Sequence, residues 1–530
     1  MLKRLIPLTL VAIAMVYSAN SRQDSRKLEN VLRLNMTQDP STLDPRKSSD
    51  QFSSAIHFQL YEGLTRITRE SSWDWGVAKD VTISEDMRTY TFKLKDAFWS
   101  DSSLLTAYDF EFSWKESIRP DFLCPNAHML YIIKNGEKIK MGQLSPAEFG
   151  VQALDDKTLK VELEHPAPYF LNMISFPVFF PVPRKLASIN PKWSKTDHPP
   201  ANGPFFCDQY HAAKEIVLKK NPYYWAKKEV KPDEVRIHLI QDETTALHLF
   251  EQKELDLIGG PFTLVPVDSI TNLKKQDLFK KKDLALTVFT TFNVHAFPFN
   301  NTNIRQAFSY AIDRESIVEN VTQNNEIAAK SFIPPILKRS AADHPISFNP
   351  SLAKEFLKKG LEELNISHIG KLTYQYPIFG CHDRIAQSLQ QNFKDVLGVE
   401  VQLEGVEFKT FLNKLQNKQY QFGQFLWIAM YTDPYSILER FKNPSNFRNY
   451  PGWKNTLYAE LLEQSQFTKD PIKRDDLLDK AENAIINDAP LTPIFHGNYC
   501  FMENDNIHGF YLSPIGSPHL QWIEFEKSKH

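Results

Sequence analysis

Gln424-Phe-Leu-Trp-Ile-Ala-Met-Tyr-Thr-Asp-Pro434 opens as an unbroken apolar run around Trp427 and stops at a turn signal. A run without polar alternation marks a strand buried on both faces. Thr432-Asp433-Pro434 ends it, because proline lacks a backbone donor and aspartate favours turn geometry. A buried strand that opens into a turn holds side chains rigidly at the lip of a cleft, a common setting for a binding site. The same residues also fit a plain core strand with its exit turn.

Outward from this stretch, helical and strand periodicities interleave, which implies an α/β class. Val31-Leu-Arg-Leu-Asn-Met36, Thr89-Tyr-Thr-Phe-Lys-Leu-Lys95 and residues 157–164 alternate as strands, the last after an Asp155-Asp156 turn. Residues 235–240, 255–258, 284–293 and 399–403 read as further strands. Apolar spacing predicts helices over 54–64, 244–254, 305–321 and 385–397, with Gly398 as the stop of the last. Thr106 is a candidate N-cap, and Asp470-Pro471 starts a helix that runs to Ala489-Pro490. Proline clusters at 177–183 and 199–204 mark a crossing between domains.

Length and composition set the bounds. At 530 residues the chain exceeds one hydrophobic core, so two or three domains are expected. A formal net charge of -2 gives no reason to expect a nucleic-acid partner. Lys3 and Arg4, an apolar stretch over 5–16 and small residues at Ser18, Ala19 and Ser21 read as a secretory signal over 1–21. An uncleaved anchor is the other reading, but the stretch is short for a membrane span. No cysteine lies near the cleavage region, so a lipid anchor on a terminal cysteine is not expected, and the location implied is the periplasm. Cys124, Cys207, Cys381 and Cys500 form no C-x-x-C; an oxidising compartment allows disulfides, and four free thiols are equally open.

No phosphate-binding glycine loop, G-x-S-x-G or H-E-x-x-H occurs, and no histidine pair has zinc-like spacing. Neither cofactor nor metal is therefore expected, and the chain is read as a binder rather than an enzyme. Local motifs do not reveal a catalytic set assembled from distant residues, so a secreted peptidase stays as a rival, as does a chaperone-like holder of unfolded segments.

Several ordered segments together resemble the peptide-binding branch of periplasmic solute-binding proteins, family 5. They include TLDPRKSSD (42–50), LYEGLTR (60–66), TAYDFEFSW (106–114), ALDDKTLKVELEHPAPYFL (153–171), FPVFFPVP (176–183), IVLKKNPYYW (216–225), NNTNIRQAFSYAIDRESIV (300–318) and FKTFLNKL (408–415). The resemblance implies a three-lobed α/β periplasmic binding protein of type II, cluster C-like. Two α/β lobes would be joined by hinge strands, with an extra smaller lobe. Lobe I would comprise 22–61, 186–285 and 498–530, lobe II 62–185 and lobe III 286–497. A monomer is implied that closes over an oligopeptide and delivers it to a membrane ABC transporter, its permease and ATPase.

In such proteins the peptide is gripped through its backbone, as in strand addition. The matching positions are Ser49, Asp50 and Gln51, and Trp427 to Ala429 with Tyr431. The family pattern A-D-Y-x-[DE]-P pairs its first acid with the peptide's ammonium. Here it reads Ala429-Met430-Tyr431-Thr432-Asp433-Pro434, so a thioether stands where that charge is expected. Asp433 matches the later acid, which lies in the turn. Gln424 and Leu415 fill places where arginines are common, and Thr322 one where lysine occurs. His382 matches a histidine that contacts a ligand carboxylate. Asn126 replaces an aromatic, Phe408 and Trp427 are apolar walls, and a disulfide common near this strand is absent because Leu286 and Ile428 occupy its places.

The main reading is therefore capture of oligopeptides, with the amine held by backbone carbonyls, water or Asp433. The alternative is the same fold turned to a ligand without a free α-ammonium, such as a blocked or cell-wall-derived peptide or another small solute. On either reading, Met430→Asp is expected to strengthen binding of free peptides.

Overall fold

The computed structural model describes residues 30–48, 50–68, 73–275, 279–338 and 346–526. The signal expected over 1–21 and the candidate Ser49 lie outside them. Among the described residues no helix is long and apolar enough to cross a membrane.

Local chemistry sets most elements. Val31–Met36, Thr89–Leu94 and Thr158–Glu162 are strands, with Tyr90, Phe92 and Leu94 turned into the core. Asp470 accepts the N–H groups of Ile472 and Lys473 at the start of the helix Pro471–Asp488. The Asp109 carboxylate accepts the Thr106 N–H, at 2.8 Å, at the start of Ala107–Ile118. Gly398, with φ at 68°, closes His382–Leu397 in the left-handed conformation that glycine adopts without strain.

The helix expected over 305–321 breaks. The chain forms Thr302–Tyr310, a single turn Arg314–Ser316 and a wider π turn Ile317–Thr322. Arg314 explains the break. Its buried guanidinium donates to the carbonyls of Ser309, Ile312 and Pro493. The Asp313 N–H, which a continuous helix would direct at Ser309, donates instead to the Asn392 side chain at 2.9 Å. The Asp313 carboxylate then caps the next turn by accepting the Ser316 N–H.

Two sheets carry the architecture. One is antiparallel, in the order Ala78–Ile83, Thr89–Leu94, Thr158–Glu162, Val151–Asp155. The other has 11 strands. Its order is Val401–Val406, Leu372–Pro377, Phe422–Ile428, Phe279–Phe292, Leu491–Glu503, Leu257–Gly259, Val31–Met36, Glu234–Leu239, Glu215–Lys220 and Phe205–His211, with Ile327–Ala328 added on Leu491–Glu503. Phe279–Phe292 and Leu491–Glu503 have 14 and 13 residues. At about 3.3 Å per residue each is roughly 40–45 Å long, enough to serve two halves of the molecule.

The two long strands pair at both ends, and their register slips between Asp283 and Thr287. Before the slip Leu491–Glu503 pairs on its far side with Leu257–Gly259; after it, Phe279–Phe292 pairs with Phe422–Ile428. The large sheet is thus two sheets sharing two strands, with an irregularity at the join where a hinge bends most easily.

An aromatic core anchors the start of Phe422–Ile428. Phe422 stacks on Phe292 at 6.1 Å and meets Phe299 at 4.7 Å. Burial does not continue along the strand: Phe422 to Phe425 are buried, but Leu426, Trp427 and Ile428 are only half-buried. The expectation of a strand buried on both faces therefore holds for its first half only. The four cysteines are free thiols.

Candidate functional site

The half-buried end of Phe422–Ile428 has an open edge. On one side it runs antiparallel to Phe279–Phe292, from Leu286 opposite Ile428 to Phe292 opposite Phe422. On the other side Leu372–Pro377 pairs with it only at Phe422 and Gly423. Just beyond the two ends of the strand, the Ala429 N–H donates to Ala285 O at 2.8 Å, and the Asn293 N–H donates to Gln421 O at 2.9 Å. Since hydrogen-bonding groups alternate in an antiparallel pair, odd-numbered residues from 421 to 429 face the long strand. Leu426 and Ile428 direct their backbone groups to the open edge. This shifts the backbone expectation: Ala429 is committed to the long strand, Trp427 faces it by the same alternation, and the outward positions are Leu426 and Ile428.

The turn after the strand is tightly held. The Asp433 carboxylate takes both terminal nitrogens of Arg474 at 2.8 Å, and also accepts the Tyr435 N–H at 2.9 Å. Asp433 and Arg474 are both buried, so this acid is a structural ion pair and is not available to a ligand amine. The Met430 N–H donates to Ser436 Oγ at 2.9 Å. Tyr431 is buried and stacks on Tyr169 at 5.1 Å. Tyr169 also stacks on Tyr435, at 4.9 Å. The Thr432 hydroxyl reaches Asn172 Oδ1 at 3.2 Å.

The remaining candidates fall into separate roles. The Asp50 carboxylate caps the helix Gln51–Leu60, accepting the Ser53 N–H at 2.7 Å and hydroxyls from Ser41 and Ser53. Gln51 accepts the Tyr499 hydroxyl at 3.1 Å. Asn126 donates to Ser48 O at 2.9 Å, tying its loop to the segment before that helix. His382 and Gln424 are buried and hydrogen-bonded to each other at 2.8 Å. Burial pushes the imidazole down to about 4, so His382 is neutral at neutral pH. Phe408 is exposed and meets exposed Phe379 edge-on at 5.5 Å; Phe379 in turn lies 4.4 Å from the His382 ring. Phe408 thus packs on Phe379, whereas Trp427 packs on Phe425 and Tyr450.

Two residues that sequence patterns missed dominate the electrostatics. Arg440, 3% exposed, lies over the Trp427 ring at 3.8 Å and donates to Ile428 O at 3.3 Å. Arg448 approaches His128 Nε2 at 2.7 Å, and its Nη1 is 4.0 Å from the Met430 sulfur. Burial lowers both arginines, Arg440 to about 9, and both stay charged at neutral pH. Desolvation and the two guanidiniums hold His128 well below its ordinary value, so it is a neutral acceptor for Arg448. Trp427 stacks on Tyr450 at 5.5 Å, which fixes the platform under Arg440. Neither arginine occupies a recognisable motif spacing; only their place shortly after the turn connects them to it.

Small voids accompany this packing. A cavity of about 140 Å³ is lined in part by Thr322, Glu326, Cys381, Asn498 and Tyr499, next in the chain to His382. A wider cavity, about 740 Å³, lies elsewhere, lined in part by Pro40–Leu43 and by residues of the strand Phe205–His211.

The chain is similar to proteins of known kind over nearly its whole length. The family described as bacterial extracellular solute-binding proteins, family 5 Middle, matches residues 74–449. The oligopeptide-binding protein OppA of Bacillus subtilis is 34% identical over 518 residues, covering 96% of this chain and 95% of that protein. A periplasmic oligopeptide-binding protein of Borrelia burgdorferi superposes with a TM-score of 0.80 at 28% identity, covering 94% of this chain and 100% of that one. Listeria monocytogenes OppA bound to peptide superposes with a TM-score of 0.77 at 26% identity, covering 94% of this chain and 99% of that one. With its two long shared strands and mixed α/β sheets, the chain belongs to the family 5 bacterial extracellular solute-binding proteins.

Proposed function

We propose that the protein captures oligopeptides outside the cytoplasmic membrane and hands them to an ABC importer. The observation that carries this reading is the open edge at Leu426 and Ile428, beside a hinge of two long strands. An extended peptide added there bonds through its backbone, which every peptide carries, and so is held largely without regard to sequence. The lobes we infer run over 22–61 with 186–285 and 498–530, over 62–185, and over 286–497, and the ligand lies between the third and the other two. The protein acts as a monomeric carrier rather than a catalyst, in the periplasm, with the permease and ATPase of the transporter as its partner.

Native mass spectrometry of the purified mature protein tests this directly. A set of short co-purifying peptides, exchangeable for added tripeptides at one per chain, is the expected result. Failure of any peptide of two to six residues to bind at millimolar concentration overturns the reading. A second check uses tripeptides N-methylated at one amide at a time. Loss at alternate amides only, about tenfold each for a lost desolvated hydrogen bond, is the mark of strand addition.

A further inference from the structure

The open edge ends in positive charge. Ile428 O points outward from the strand, and the Arg440 guanidinium sits on it. The Arg440 Nη1 is buried and has no hydrogen-bond partner. Arg448 lies against the Met430 sulfur, one residue past Ala429, and donates to a histidine held neutral. Among the described residues neither guanidinium has a carboxylate within ion-pair distance, and Arg440 and Arg448 lie close enough for each to feel the other's charge. Asp433 is fully engaged by Arg474. The remaining acid nearby, Glu439, is raised by desolvation against the pull of Arg440 and Arg448 on its charged form, and among the described residues it makes no ion pair with either.

A buried guanidinium with an unfilled donor is costly to keep unless something completes it. The two arginines converge on the place where a strand added at Leu426 and Ile428 comes to its end, and Met430 brings no charge to meet an ammonium there. We propose that the ligand end seated against Met430 is a carboxylate, held by Arg440 and Arg448. This rests on the peptide-binding reading and gives it a charge preference opposite to that of a site built to neutralise an amine. The carboxylate can come from an acyl cap at the peptide's N-terminal end or, in a chain laid in the other direction, from its C-terminus.

Four tripeptides that differ only in their ends separate these outcomes by titration calorimetry on the intact mature protein: acetyl-Ala₃-amide, succinyl-Ala₃-amide, acetyl-Ala₃ with a free carboxylate, and Ala₃-amide with a free amine. The expected result is that one anionic member binds at least about tenfold tighter than the neutral one, a difference of about 1.4 kcal/mol. Which anionic member it is identifies the source of the carboxylate. In Arg448→Gln and Arg440→Met the ratio of anionic to neutral peptide affinity should shrink to within about twofold. Tightest binding of the free amine, or equal binding of all four, overturns the proposal and leaves peptide capture standing. Binding of none overturns both. The wild-type series is decisive even if Arg440→Met does not fold.

Discussion

At the scale of single residues, position 430 carries the charge logic of the site. The sequence alone leads to the expectation that Met430→Asp strengthens binding of free peptides, because it restores an acid where the family has one. The structure changes that outcome. Arg448 Nη1 is 4.0 Å from the Met430 sulfur, so a carboxylate introduced there pairs with Arg448 before any ligand arrives. Met430→Asp should therefore improve free-amine peptides by less than about threefold and weaken anionic ones by about tenfold, as read by calorimetry. A gain of ~2 kcal/mol for the free amine would mean that Arg448 does not reach the new acid. Asp433 makes the contrasting case. Asp433→Asn leaves the Arg474 guanidinium buried at 5% exposure without its counter-charge, which should cost about 3–5 kcal/mol of stability. The measurement is the denaturant midpoint; a shift worth under about 1 kcal/mol would show that Arg474 finds another partner. Met430 was legible as a departure because it breaks a pattern within one turn. Arg440 and Arg448 were not, since nothing in their spacing announces that the chain folds both back over Trp427.

At the scale of elements, caps and alternation read well because they are local: Asp470, Gly398 and the strand Thr89–Leu94 follow from their own neighbours. Two features escaped because distant groups decide them. The helix over 305–321 breaks at Arg314, whose carbonyl partners include Pro493, far along the chain. The outward parity of Leu426 and Ile428 is invisible in a run with no polar alternation, where only pairing to Phe279–Phe292 fixes which backbone groups point out. A third contact at this scale bears on motion. Tyr169, within the segment inferred as lobe II, is clamped between Tyr431 and Tyr435 of the turn after the strand. Two stacked pairs at about 0.5–1.5 kcal/mol each hold these two segments together. Tyr169→Ala should therefore weaken peptide binding about tenfold and enlarge the radius of gyration of the ligand-bound protein toward that of the open form. Unchanged affinity and unchanged X-ray scattering would show that the clamp forms equally in the open protein.

At the scale of the whole molecule, buried histidines and the half-buried Glu439 pull stability in opposite directions with pH. Burial lowers His57 and His382 to about 4 and His496 to about 3. Each is neutral when folded and binds its proton more readily when unfolded. Their contribution is complete above the unfolded value of about 6.5 and is lost as pH falls toward 4. Glu439 behaves in the opposite sense. Its carboxyl is raised from 4.5 to about 7, so the folded protein holds a proton that the unfolded chain releases. That contribution is complete below about 4.5 and is lost as pH rises through 7. Comparison of variants isolates each slope. His57→Gln, at a side chain with no exposure, should flatten the loss of stability between pH 6.5 and 4 by an amount on the order of 3 kcal/mol, provided Gln refills the hydrogen bond to Thr42 O. Glu439→Gln should stabilise the protein at pH 8 relative to wild type and leave it unchanged near pH 4, because the amide keeps the neutral shape without the cost of ionising a desolvated carboxyl. Unfolding midpoints taken every half unit from pH 4 to 8 test both together. Parallel curves for Glu439→Gln and wild type across that range would show that Arg440 and Arg448 keep Glu439 ionised. They would then have an internal counter-ion after all, and the preference for an anionic ligand end should be correspondingly weak.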